Sequence, residues 1–247
     1  MDHSINIFCA KGCSLPTFKV ASLFSQISGI SANVDVCSGH CNKPHAYKNV
    51  KDNEKAHTDM LDEIRSSGHH DLVISGADFL LDDAELNGLV LKGTRKSIAY
   101  RRSALIVKKG NPKSITGLDS LTISGIKVGV SIIDCLQGAW EDICGRARLI
   151  DPVRSNITLF VPGCFAIINA VADGVIDVGF GWSAFKYLEP KKLDVVELPE
   201  NLQIFRATSV AMLEYCQDKD LARKFIEFIL TPESVKIYLE LGWDTPE

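Results

Sequence analysis

The chain opens on a short apolar run, Ile5, Ile7 and Phe8, that has the character of a β-strand. Cys9 and Cys13 then bracket a Lys-Gly turn, and Ser14-Leu15-Pro16 begins a pattern of helical period. That pattern predicts a helix over 15–27, with Phe18, Ala21, Leu23 and Phe24 on its buried face and Ser28-Gly29 as its stop. The same order follows twice more. A strand over 34–37 leads through a polar, basic loop to a helix on Met60, Leu61 and Ile64 that stops at Ser67-Gly68. A strand over 71–75 then breaks at Gly76 into a helix near 79–86. Alternating strands and helices predict an α/β protein with parallel strands and right-handed crossovers.

The rhythm changes near Tyr100. RRSALIVKKGNP reads as a long strand leading to the turn Lys109-Gly110-Asn111-Pro112. A second βα series begins at IKVGVS (126–131), with helices over 136–146 and 164–172 and further strands in TLFVP, DVGFGW and LDVVELP. IFRATSVAML runs back as another long strand, and helices over 221–230 and 233–241 follow, with Pro232 at a helix start. One long strand into the second series and one out of it predict two lobes, 1–99 with 210–247 and 100–209. Each has its own βα sheet, and two crossover strands join them.

Composition adds exclusions. The 247 residues suffice for two modest cores, and 46% hydrophobic with 23% charged residues is ordinary for a globular chain. A net charge of −4 argues against nucleic acid or an anionic membrane as the main partner. No run approaches the ~18 apolar residues of a membrane span, so direct membrane insertion is not expected. MDHSINIF lacks a basic start followed by an apolar stretch. The expected location is therefore extracytoplasmic if a signal peptide has been removed, and cytoplasmic otherwise.

Several pieces, taken in order, resemble a known class. LIVKKGNP (105–112), GLDSL (117–121), GAWEDICGRARLIDPVRSNI (138–157), VPGCFAIINAV, FRATSVAML and LELGW (239–243) are similar to the type II periplasmic-binding-protein fold of ABC-transporter solute-binding proteins. Within it, they resemble the accessory colonization factor branch, a relative of the molybdate, tungstate and sulfate receptors. The resemblance implies a non-enzymatic receptor that closes two lobes on a small inorganic ligand and works with an ABC-transporter membrane subunit. It places the site on loops after strands of both lobes, with Lys11, Gly12, Ser14, Ser75, Gly76, Ser131 and Arg154 as ligand-binding candidates. The family builds such loops from Ser, Gly, Ala and backbone N–H groups that hold an oxyanion.

This chain puts Cys9, Cys13, Cys37, Cys41, Cys135 and Cys164 on those same loops. Thiolates bind zinc, copper(I) and iron–sulfur centres. The expectation is a cysteine-lined cleft holding an iron–sulfur cluster or a thiolate-bound transition metal, with an oxyanion receptor as the alternative. Buried packing and disulfides such as Cys9–Cys37 are the other readings of the thiols. His40 and His45 flank Cys41 and could supplement a metal site, whereas His69-His70 are expected to face solvent. Cys144 and Cys216 fit packing positions, and Trp140 and Trp182 are expected in the second lobe's core. Lys11, Arg101, Arg102 and Arg154 are the cations available to draw in an anion, with a solvated lobe surface or an ion pair expected for Arg102 and for Lys108-Lys109.

No GxSxG, HExxH or GxxxxGK[ST] motif is present, and Glu141-Asp142 point to different faces of one helix. The remaining alternative from another class is a thiol-based redox protein or enzyme. It requires a cysteine of depressed pKa beside a base, for instance Cys37 or Cys41 with His40.

Overall fold

The computed structural model describes residues 4–38 and 60–245. Cys41, His40 and His45 lie outside these. The chain divides into two compact units: described residues 4–38, 60–100 and 206–245 form the first, and 101–205 the second.

In the first unit, β1 (Ser4–Cys9) lies parallel to both β2 (Ser31–Val36) and β3 (Leu72–Ser75). Helices α1 (Ser14–Ser28), α2 (Met60–Ser67) and α3 (Asp78–Leu86) complete the βα repeats. One sheet face packs Phe8 and Val73 against Met60, Leu61 and Ile64 of α2 and Leu81 and Ala84 of α3. On α1 the buried face is Pro16, Thr17, Val20, Ala21 and Phe24. Phe18 and Leu23, expected there, fall outside this stripe and line a surface groove with Ile237, Phe18 being 47% exposed. Gly29 takes φ 72° at the end of α1, a left-handed turn that suits glycine.

Two long strands pass between the units. β4 (Lys96–Lys108) leaves the first unit after Tyr100, and β9 (Phe205–Met212) returns to it, where it runs antiparallel to β3. Helices α7 (Lys219–Ile229) and α8 (Pro232–Glu240) and the short β10 (Trp243–Asp244) then finish the first unit. Asp218 caps α7 through Leu221 N–H, and Thr231 caps α8 through Ser234 N–H, ahead of Pro232. Phe225 of α7 meets Phe24 of α1 edge to face at 5.1 Å.

In the second unit, β5 (Val128–Ser131) pairs parallel with β6 (Ile157–Val161) and β7 (Val178–Trp182). The far half of β4 pairs antiparallel with β7 and with β8 (Leu193–Glu197). Helix α6 (Cys164–Ala172) spans the residues its pattern predicts. It lies close on the sheet because Gly129 and Gly179 are partners in register: a Cβ at Gly179 would stand 2.6 Å from Ile167 Cγ2. The helix expected over 136–146 starts later, as α4 (Ala139–Ala147), because Gly138 turns the chain with φ 73°. A five-residue helix not read from the sequence, α5 (Ile150–Arg154), contains Pro152 and leads into β6.

Candidate functional site

In the first unit, three loops come together at the carboxyl edge of the parallel strands. Ala10 N–H donates to Ile74 C=O at 2.9 Å, and Cys37 N–H donates to Cys9 C=O at 2.9 Å. Lys11, Gly12 and Cys13 form a 3-10 turn leading straight into α1, whose first residue is Ser14. The Ser14 hydroxyl donates to Lys11 C=O at 2.8 Å. Ser75 ends β3, is fully buried, and accepts from Ala77 N–H at 3.3 Å across Gly76. The ligand-binding candidates of this unit therefore share one edge.

The thiols of this unit do not converge on a common point. Cys9 is buried and its thiol donates to Thr17 Oγ1 at 3.4 Å; Thr17 in turn meets Tyr238 OH at 3.1 Å. Cys13 Sγ lies 3.7 Å from Thr208 Oγ1, which accepts from Trp243 Nε1 at 2.9 Å. Cys37 points to Glu63 Oε1 at 3.8 Å. Burial pushes the Cys9 thiol well above its ordinary pKa, and neighbouring Cys13 pushes it further, so it stays protonated. Cys9 and Cys13 serve a thiol–hydroxyl network under the loop, anchored by the C-terminal elements of the same unit. Across the described residues, the one set of at least three His, Cys, Asp or Glu ligand atoms lying within 4.8 Å of one another contains no cysteine. No three of the described cysteines bring their sulfurs within that distance, and Cys41 lies outside the described residues. The described cysteines are reduced thiols, so a Cys9–Cys37 disulfide is not formed.

The second unit behaves differently. Ser131 ends β5, accepts from Gly163 N–H at 3.0 Å and donates to Ile133 C=O at 3.1 Å, which ties it to the start of α6. Gly163, with φ 84° and ψ 170°, turns the chain into Cys164. Cys135 accepts hydrogen bonds from Arg101 Nη1 and Trp182 Nε1, each at 3.3 Å, and Arg101 Cζ lies 4.9 Å from the centre of the Trp182 ring. The hydrogen bond from Cys164, then the Arg101 charge and the Trp182 N–H, outweigh burial and pull Cys135 down to about 6. Cys135 therefore gives up its proton more readily than an ordinary thiol, beside an arginine that is 1% exposed. By contrast, burial pushes Cys144 and Cys216 up to about 12, as expected of packing positions.

Arg154 departs from its expected place. It ends α5 at the amino end of β6, opposite the edge carrying Ser131 and Cys164, because the short helix turns the chain there. It is half exposed, pairs with Asp151 and lies over Trp140. Arg102 forms an ion pair with Glu197 at 3.4 Å.

Sequence reasoning missed the distribution of carboxylates at helix starts. Among the eight described helices, α2, α3, α4, α5, α7 and α8 each carry Asp or Glu in the first turn. The other two, α1 and α6, carry none and have no side-chain cap. One belongs to each unit, and both begin just after a strand. Their amino ends keep the partial positive charge that the other helices offset. This signal was in the sequence as SLPT and CFAI.

Strand ends bearing Ser and Gly, followed by uncompensated helix starts, are an arrangement able to hold a small anion through backbone dipoles. The profile of the bacterial extracellular solute-binding protein family matches residues 5–244. The chain belongs to that family, whose members are receptors rather than enzymes. It is 22% identical over 176 residues to the molybdate-binding protein ModA of Mycobacterium tuberculosis, a match covering 70% of this chain and 66% of that protein. Among solved structures, PEB3 of Campylobacter jejuni with L-phospholactate bound superposes with a TM-score of 0.76 at 21% identity, covering 98% of this chain and 100% of that one. The periplasmic molybdate-binding protein of Azotobacter vinelandii gives 0.73 at 15% identity, covering 98% and 100%. These likenesses establish the type II periplasmic-binding fold.

Proposed function

We propose that this chain is the receptor of an ABC importer for a small oxyanion of the molybdate and sulfate class. The observation that carries the reading is the pair of helix starts, α1 and α6, left without carboxylates in the two units. An anion at such a terminus gains about 0.3–1 kcal/mol from the dipole where exposed, and more where buried, in addition to its N–H hydrogen bonds. ModA and the Azotobacter protein, both named for molybdate, support the ligand class, and phospholactate-bound PEB3 widens it to phosphate esters. Calorimetric titration with molybdate, tungstate, sulfate, phosphate and phospholactate tests the proposal. The expected result is 1:1 binding of one of these, weakened by Ser14→Ala and by Ser131→Ala. No binding of any would overturn it.

A second reading keeps a metal, because Cys135 and Cys164 are hydrogen-bonded and Cys135 gives up its proton readily. Two thiols suit a soft ion such as copper(I) and fall short of the four that hold an iron–sulfur cluster. Elemental analysis of anaerobically purified protein, with acid-labile sulfide on the same sample, separates the readings. Stoichiometric metal favours the second, and metal-free protein that binds an oxyanion favours the first.

A further inference from the structure

The set of ligand atoms that does converge lies in the first unit and is made by Asp35, His69 and His70. Asp35 stands on the edge strand β2, and the two histidines lie between α2 and β3. Nε2 of His70 is 2.9 Å from Asp35 Oδ2, and Nε2 of His69 is 3.3 Å from the same oxygen. His70, expected to face solvent, is instead 2% exposed, with its ring against Phe8 at 5.1 Å. His69 and Asp35 remain open to water, with side chains 58% and 59% exposed.

Contacts with Ser67 orient both rings. His69 Nδ1 lies 2.9 Å from Ser67 C=O, and a carbonyl only accepts, so His69 donates there. Ser67 spends its one hydroxyl proton on Ile64 C=O at 2.8 Å. His70 Nδ1 lies 2.7 Å from the same hydroxyl oxygen, which can accept from it. With Nδ1 protonated in both rings, each imidazole turns an Nε2 lone pair toward Asp35 Oδ2. In that arrangement one ion can serve three ligand atoms that lie within 4.8 Å of one another. Two imidazolium rings with centroids 4.1 Å apart, one of them buried, would repel each other, whereas one divalent ion satisfies all three groups. Donors sharing an ion at about 2.0–2.1 Å stand about 3.0–3.4 Å apart, close to the observed 2.9 and 3.3 Å. The Ser67 contacts on Nδ1 are also the outer-shell partners that orient metal-binding histidines.

We propose that Asp35, His69 and His70 form a site for a divalent transition-metal ion of the zinc class, bound through both Nε2 atoms and the carboxylate, with its remaining positions open to water. The ion would tie edge strand β2 to the segment leading into β3. The site is independent of the oxyanion reading and of the cysteines.

The test uses tag-free, full-length protein stripped of metal and titrated with Zn2+ and Co2+ by calorimetry and absorption. The expected result is one ion per chain and a Co2+ spectrum without sulfur-to-cobalt charge transfer. Affinity should fall about tenfold or more in His69→Gln and in Asp35→Asn. Both of these positions are exposed, so folding should survive, as circular dichroism would verify. A raised melting temperature with Zn2+ should be lost in the same variants. Absence of binding, binding unchanged in both variants, or a thiolate charge-transfer band would each overturn the proposal.

Discussion

Cys135→Ser gives the sharpest test of the acidic thiol described in the second unit. Serine keeps the size and hydrogen-bonding capacity of the side chain but does not ionise near neutral pH. In the folded protein Cys135 is held at about 6, against an ordinary 9.0 for a thiol. Between these values the unfolded chain binds more protons than the folded one, so the wild type gains stability as pH rises. Each unit of difference is worth about 1.4 kcal/mol. The pH-dependent part of the difference from the serine variant should thus be near zero below pH 6, about 1.4 kcal/mol at pH 7, and roughly 3–4 kcal/mol by pH 9, levelling off above. Urea denaturation of both proteins at closely spaced pH values measures the difference, and other ionising groups cancel between them. A flat difference from pH 6 to pH 9 would show that Cys135 is an ordinary buried thiol and refute its pairing with Arg101.

Three further substitutions probe the framework. Gly163→Ala forces a side chain into φ 84° and should cost about 1–2 kcal/mol by urea denaturation, while weakening ligand binding through the displaced start of α6. Gly179→Ala puts a methyl 2.6 Å from Ile167 Cγ2, a branched atom near the backbone of α6. It should lower stability by about 1–3 kcal/mol in thermal or chemical unfolding. Thr17→Val removes the hydroxyl that links Cys9 to Tyr238, whose ring is fully buried, and should cost about 1–3 kcal/mol by the same assay.

Much of the fold was legible because periodicity and glycine punctuation act locally. The strand endings at Cys9, Ser75 and Ser131 and the span of α6 follow from apolar runs broken by turns. What the pattern does not carry is the direction of side chains at those endings. Cys9 and Cys13 sit at the expected edge, yet their sulfurs turn inward to Thr17 and Thr208 because α8 and β10, over two hundred residues away, supply the hydroxyl and indole partners. His70 has a polar neighbourhood in sequence, but Phe8 and α2 close over its ring. Arg101 and Cys135 are 34 positions apart, and their meeting depends on the packing of the second unit.

That meeting bears on how an oxyanion would be recognised. A buried arginine with a bare charge draws any anion strongly, and its planar fork favours carboxylate and phosphate. Here Arg101 Nη1 already donates to Cys135, whose sulfur also accepts from the Trp182 N–H. Arg154, the other cation expected in this unit, is at the opposite end of its strand and paired with Asp151. On the proposed reading, the second unit would therefore hold its ligand mainly through neutral donors, the peptide N–H groups opening α6, in a turn that Ser131 fixes through Gly163 N–H and Ile133 C=O. Such donors stand at fixed distances and reward an ion by shape and by the number of oxygens it presents. Recognition of that kind discriminates among anions of the same charge, which a matched pair of full charges does poorly.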